Sequence, residues 1–169
     1  MLRQLFPEDY IDSIFDLNIE QLLNNNVKGL IFDIDNTLVP FDVAHPNQKL
    51  ISFFEKLKEK GFKICLVSNN TKERVIKFNE KLKVNTIHKA SKPRRKSFIK
   101  AMDLMGTNKD NTLVIGDQIF TDVWGGNRLG IKTILVVPVS DRDEWITWIK
   151  RGIERLVIRL YQRQRSKKR

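Results

Sequence analysis

A single cysteine and two histidines leave this chain of 169 residues little with which to build a disulfide or a zinc site. Cys65 lies in the apolar run Lys63-Ile-Cys-Leu-Val67, which excludes an internal disulfide and predicts a buried, inert thiol, as suits a reducing cytoplasm. His45 and His88 have no acidic or cysteine neighbours at ligand spacing and read as non-catalytic. Long apolar runs are missing too. Stretches such as Ile134 to Val137 fall far short of the roughly 20 residues that a spanning helix needs. The N-terminus lacks a basic segment followed by an apolar run. The expectation is a cytoplasmic protein, neither exported nor transmembrane.

Acids are scarce relative to bases. Lys and Arg number 31 against 20 Asp and Glu, a net charge of +11 that favours polyanions such as nucleic acid or anionic lipid. The excess is uneven. From Arg142 onward ten basic residues face only Asp143, Glu144 and Glu154, so this segment carries +7 of the +11. With 41% apolar residues the chain is long enough for one well-buried core and short for two. We therefore expect one globular domain, residues 1–141, followed by a basic segment, residues 142–169.

Pro7, Glu8 and Asp9 read as the first turn of a helix carrying Tyr10, Ile11, Ile14 and Phe15 at helical spacing and ending before Asn24-Asn-Asn26. A strand follows within Val27–Ile34. After it the pattern alternates: helix 47–60, strand 63–67, helix 72–82, a weak strand 84–87, helix 94–105, strand 112–115, helix 122–129 and strand 131–136. Gly61, Gly106 and Gly130 stand where helices should stop. Such alternation predicts a Rossmann-like three-layer α/β fold, a parallel sheet with helices on both faces.

In open parallel sheets ligands bind beyond the carboxyl ends of the strands. There the sequence places Asp33-Ile-Asp35-Asn-Thr37, Ser68-Asn69-Asn70 and Gly116-Asp117 with Asp122 further on, while Lys92 precedes a helix. Carboxylates packed together repel, and a cation relieves them; oxygen ligands without a Cys/His cluster predict Mg2+. Mg2+ between Asp33, Asp117 and a substrate phosphate would hold the phosphorus for attack by Asp33. Asp35, two residues on, is placed to protonate the leaving oxygen and later to activate water, and its neighbours should raise its pKa. Ser68 can donate to a phosphate oxygen and Lys92 can neutralise charge. Asn69, Arg94 and Arg95 are the expected substrate contacts, the arginines for a second anionic group. Asn69 also reads as part of a helix-capping loop with Asn70 and Thr71.

This ordered set resembles the haloacid dehalogenase (HAD) superfamily, in which an Asp-x-Asp-x-Thr, a strand-terminal Ser or Thr, a Lys and a Gly-Asp-x-x-x-x-Asp follow one another. The resemblance implies Asp33 as nucleophile, Asp35 as acid and base with its main-chain carbonyl on the metal, Ser68 and Lys92 on the phosphoryl group, Asp117 as metal ligand, and Asp122 orienting water or Lys92. Aspartate at position 35 resembles the phosphatase branch. Many such phosphatases carry an inserted cap domain, but 25 residues between Thr37 and Lys63 and 23 between Ser68 and Lys92 leave no room for one. An open site, as in the capless subfamily III, is expected. Gly29-Leu-Ile-Phe-Asp-Ile-Asp-Asn-Thr-Leu-Val39 and the stretch from Gly116 to Gly130 resemble the YqeG-type group of subfamily IIIA, related to phosphatidylglycerophosphate phosphatases. That implies removal of the terminal phosphate of an anionic phospholipid.

The basic segment agrees with this setting. Trp145, Ile149, Ile153, Leu156 and Leu160 recur at helical steps, flanked by Trp148 and Val157, with bases on much of the remaining surface. A basic amphipathic helix with two tryptophans either packs on the domain or lies in a membrane interface, where each basic residue is worth about 1 kcal/mol. Peripheral contact with the inner face of the membrane through Trp145 to Arg169 is one expectation. Phosphoproteins, nucleotides and nucleic acid termini are the rival substrates, and a nucleic-acid or ribosome binding module on a vestigial phosphatase fold is the rival class.

Overall fold

The computed structural model describes residues 2–140 and 157–162. Six strands form one parallel sheet: β1 (Asp9–Ile11), β2 (Gly29–Phe32), β3 (Lys63–Val67), β4 (Asn85–Ile87), β5 (Thr112–Gly116) and β6 (Lys132–Val136), in the order β1-β6-β5-β2-β3-β4. Every residue of β2 and of β5 is buried, as a central strand covered on both faces requires. On one face Leu30 and Phe32 join α1 (Ile19–Asn24), α2 (Gln48–Glu59) and α3 (Lys72–Asn79) through Leu22, Phe54 and Phe78. On the other, Ile31, Cys65 and Val114 meet α4 (Arg95–Met105) through Phe98 and Ala101. The three layers are those expected from the sequence.

Helix boundaries have local causes. Asn47 accepts from the Leu50 N–H at 2.9 Å, and Thr71 accepts from the Arg74 N–H at 3.3 Å, so each caps the helix it precedes. Gly106 ends α4 in the left-handed region at φ 63°, the conformation that glycine adopts without steric cost. α3 stops at Asn79, short of the expected Leu82, because the Asn79 side chain bonds both the N–H and the carbonyl of Val84 and turns the chain into β4.

Three expectations need correction. The helix expected after Pro7 is instead β1, a 3-10 turn Ile14–Asp16 and α1. β1 adds to the sheet edge, with Asp9 opposite Ile134 and Ile11 opposite Val136, and Ser13 and Asn18 each start a new helical segment by capping it. The helix expected over 122–129 is a wide turn, Ile119–Val123, running into the short α5 (Trp124–Asn127). Lastly, within the described helical stretch 157–162, Val157 is buried against Ile119, Val123 and Leu135, and Tyr161 stacks at 5.9 Å on Phe6. Leu160, on the expected apolar face, is exposed. The remaining positions of the expected C-terminal helix, Trp145 and Trp148 among them, lie outside the described residues.

Candidate active site

The register of β2 brings the site together. Phe32 lies opposite Leu66 of β3 and Ile115 of β5, so the residues that follow on these strands emerge at one edge. The Asp33 N–H still donates to the Ile115 carbonyl at 3.0 Å, holding the first carboxylate against β5. This is where the strand order reverses, since β3 and β5 lie on opposite sides of β2.

Lys92 is the hub. Its ammonium donates to Asp33 Oδ1 at 2.7 Å and to Asp122 Oδ1 at 2.6 Å, all three side chains being nearly closed to solvent. Asn69 fixes Lys92 through its backbone, accepting from the Lys92 N–H at 2.7 Å and donating to its carbonyl at 3.4 Å. Asp122 also accepts from the Gln118 N–H and from the Thr121 hydroxyl. Gly116 makes room for it: a Cβ at that position would fall 2.3 Å from Asp122 Cγ. Asp117 accepts from the Thr37 hydroxyl at 3.0 Å.

Ligand atoms of Asp33, Asp117 and Asp122 all lie within 4.8 Å of one another. Burial raises Asp33 to about 6, with Lys92 opposing and Asp122 adding to the shift. Asp117 is raised well above the usual carboxylate range by burial and then by Asp33 and Asp122. Burial acts to lower the Lys92 ammonium, but Asp122 and Asp33 outweigh it and its pKa is raised. One ammonium among three buried carboxylates leaves negative charge uncompensated, and hard oxygen donors suit a divalent cation such as Mg2+. The donor set therefore fits a metal.

Asp35 faces the same cavity from its other wall. The cavity, of about 360 Å³, is lined by Asp33, Asp35, Ser68, Asn69 and Lys92, and also by Asn36, Phe41, Asn70, Gln118 and Thr121. Arg74 Nη2 donates to Asp35 Oδ1 at 3.0 Å and Asn70 Nδ2 donates to Oδ2 at 3.2 Å. Ser68 Oγ accepts from the Asn70 N–H at 3.1 Å, which ties this pair to the end of β3.

Arg94 and Arg95 are not brought in: both are exposed on the approach to and first turn of α4, outside the cavity lining. His45 and His88 also lie outside it. Conversely, the sequence does not single out Arg74, and it offers Asn70 only as part of a capping loop, not as a partner of Asp35. Thr71 signalled a helix start, but nothing in the spacing marked Arg74 as reaching back across the edge to Asp35.

Comparison with known proteins agrees with this geometry. Residues 30–92 match a family model described as haloacid dehalogenase-like hydrolase, and residues 89–147 one described as HAD-hydrolase-like. A Bacillus subtilis protein named probable phosphatase YqeG is 45% identical over 165 residues, which is 97% of this chain and 96% of that protein. The chloroplastic/mitochondrial phosphatidylglycerophosphate phosphatase 1 of Arabidopsis thaliana is 27% identical over 94% of this chain, but 48% of its own length. A HAD phosphatase from Thermococcus onnurineus has a similar fold, with a TM-score of 0.56 at 15% identity over 70% of this chain and 90% of that one. The chain belongs to the haloacid dehalogenase-like hydrolases and is a phosphatase of that family.

Proposed function

We propose that the protein is a Mg2+-dependent phosphomonoester hydrolase that works through an aspartyl-phosphate, with phosphatidylglycerophosphate as its substrate. The observation that carries this reading is the Lys92 ammonium held between Asp33 and Asp122 in an open cavity that Asp35 also lines. Asp33, Asp117 and the main-chain carbonyl of Asp35 would hold the metal, which when bound offsets negative charge on the phosphoryl oxygens.

The chain's own residues divide the remaining work. A carboxylate oxygen of Asp33 forms a bond to phosphorus as the ester oxygen leaves, and Asp35 gives that oxygen a proton. Asp35 then takes a proton from water, whose oxygen attacks the phosphorus, breaks the acyl-phosphate bond and regenerates Asp33. Lys92 and the Ser68 hydroxyl stabilise the equatorial oxygens in both steps. Asn69 serves by holding Lys92. Residues 1–141 constitute the phosphatase domain, and residues 142–169 add a basic segment for an anionic membrane surface. The plant relative, acting on a lipid phosphate by its name, supports the substrate.

The deciding measurement is phosphate release from phosphatidylglycerophosphate in mixed micelles with Mg2+, set beside nucleotides and phosphopeptides. A kcat/KM at least about tenfold higher for the lipid is expected. Equal or faster turnover of a nucleotide would overturn the substrate assignment, and turnover retained by Asp33→Asn would overturn the covalent mechanism.

A further inference from the structure

Exposed apolar side chains such as Ile76, Ile99 and Leu104 stand apart on helix surfaces, which is ordinary. Phe41, Val43 and Val139 differ because each lies in the wall of the catalytic cavity or on backbone tied to it. Phe41 is 40% exposed and forms part of the cavity wall. Val43, 37% exposed, closes a turn by donating its N–H to the Pro40 carbonyl at 3.0 Å. Val139, 45% exposed, arrives from beyond β6 and donates its N–H to the carbonyl of Asn36, another wall residue.

The turn is braced. Asn36 donates its N–H to the Val39 carbonyl at 2.7 Å, and Arg74 Nη1 donates to the Ala44 carbonyl at 3.1 Å. Apolar groups held out in water on a fixed support, around an opening, mark a contact surface.

The charges nearby say what kind of contact. Lys89 is exposed and donates its N–H to the carbonyl of Asn70, a wall residue, while Lys72, Arg94 and Arg95 are exposed at the same edge. Asp42 and Glu73 are the acids interspersed with them. Cations around apolar side chains match a surface that is anionic outside and apolar within, which is a bilayer containing anionic lipid. Single-stranded nucleic acid would need a platform of stacking aromatics, and Phe41 is alone here among the described residues.

We propose that the turn Pro40–Val43 together with Val139 forms a lipid-docking lip. It seats the open edge of the sheet on an anionic bilayer, so that a lipid phosphate reaches Asp33 without leaving the membrane. This rests on the reading of the site as one for a lipid phosphomonoester, and it adds a docking surface at the cavity mouth to the one proposed for the basic C-terminal segment.

The test uses the full chain with vesicles of phosphatidylcholine and phosphatidylglycerol that contain no substrate. An environment-sensitive fluorophore on Val43→Cys should shift to the blue with these vesicles and not with phosphatidylcholine alone. The same probe on Lys83→Cys, at the opposite edge, should not respond. Val43→Glu combined with Val139→Glu should weaken vesicle binding by about tenfold or more while hydrolysis of a soluble aryl phosphate, which also reports folding, is unchanged. A chain that does not sediment with the vesicles, or that sediments with a silent probe at position 43, overturns the proposal. So does a probe that responds to RNA instead. If the probe responds but phosphatidylglycerophosphate is not hydrolysed, the lip stands and the substrate assignment falls.

Discussion

The ammonium of Lys92 bonds Asp33 and Asp122, while Asp117, within reach of both, is held by the Thr37 hydroxyl, and the protonation of these acids makes stability depend on pH. Asp33 titrates at about 6 in the folded chain, above the roughly 3.9 of an unfolded aspartate. A carboxyl raised in this way contributes stability that is complete below about pH 4 and is lost as the pH rises through about 6. Asp117, raised in the same direction, adds to the loss. A divalent cation such as Mg2+, held by these carboxylates as proposed, would compete with those protons. The rise in melting temperature on adding Mg2+ should therefore be larger at about pH 7.5 than at about pH 5.5, as differential scanning fluorimetry will read. An equal rise at both would contradict the assignment of these carboxylates as ligands.

Also at the residue scale, Arg74 and Asn70 aim the Asp35 carboxylate. Arg74→Leu removes one of its two holds and should lower kcat by about tenfold or more with KM within about twofold if Asp35 carries the proton as proposed, because misplacing it costs the reacting step rather than binding. Stability should also fall, by about 1–3 kcal/mol, since the ion pair is mostly buried and Arg74 also donates to the Ala44 carbonyl. Asp33, Asp35, Ser68, Lys92 and Asp117 were legible in the sequence because each follows an apolar run or opens a helix, where a parallel sheet exposes its ligand edge. Arg74 was not, since its meeting with Asp35 depends on how the 40–46 loop and α3 lie over one another.

Among the elements, the junction of β5 with the wide turn Ile119–Val123 is the tightest part of the site. Glycine at position 116 lets Asp122 pack against the strand end, and Gly116→Ala forces the carboxylate away from Lys92 and the Gln118 N–H. Overpacking of this kind should cost about 1–3 kcal/mol in denaturant melts and weaken Mg2+ binding by calorimetry. A variant as stable and as tight as the parent would show that the turn relaxes freely. The alternation from β2 to β6 could be read from the sequence because buried parallel strands are short continuous apolar runs. The segment from Pro7 to Asn24 misled because Tyr10, Ile11, Ile14 and Phe15 mimic helical spacing, whereas pairing with β6 and caps at Ser13 and Asn18 divide it. Likewise the stretch 157–162 is helical as expected but turns Val157 and Tyr161 inward, guided by the apolar partners Phe6, Ile119 and Leu135 rather than by its own periodicity.

For the whole molecule, Cys65 gives a direct gauge of cooperativity. It sits in β3 beneath α4, and burial pushes its thiol up to about 12, so the folded chain offers no reactive thiolate. Modification by a thiol reagent should proceed no faster than global unfolding and should track it across denaturant, with quenched labelling and mass spectrometry as the measure. Fast labelling in native buffer would reveal a local opening of the sheet.

The short connections that follow β2 and β3 carry a broader consequence. An enzyme whose catalytic groups sit under a closing domain can refuse a wrong substrate by refusing to close. Here no such gate is built between Thr37 and Lys63 or between Ser68 and Lys92, and the cavity opens directly beside Phe41. Under the proposed function, selection rests on place instead: whatever monoester is concentrated where the protein sits should be turned over first. On that reading, moving the protein to another surface should change which ester it hydrolyses, much as a change in the pocket would.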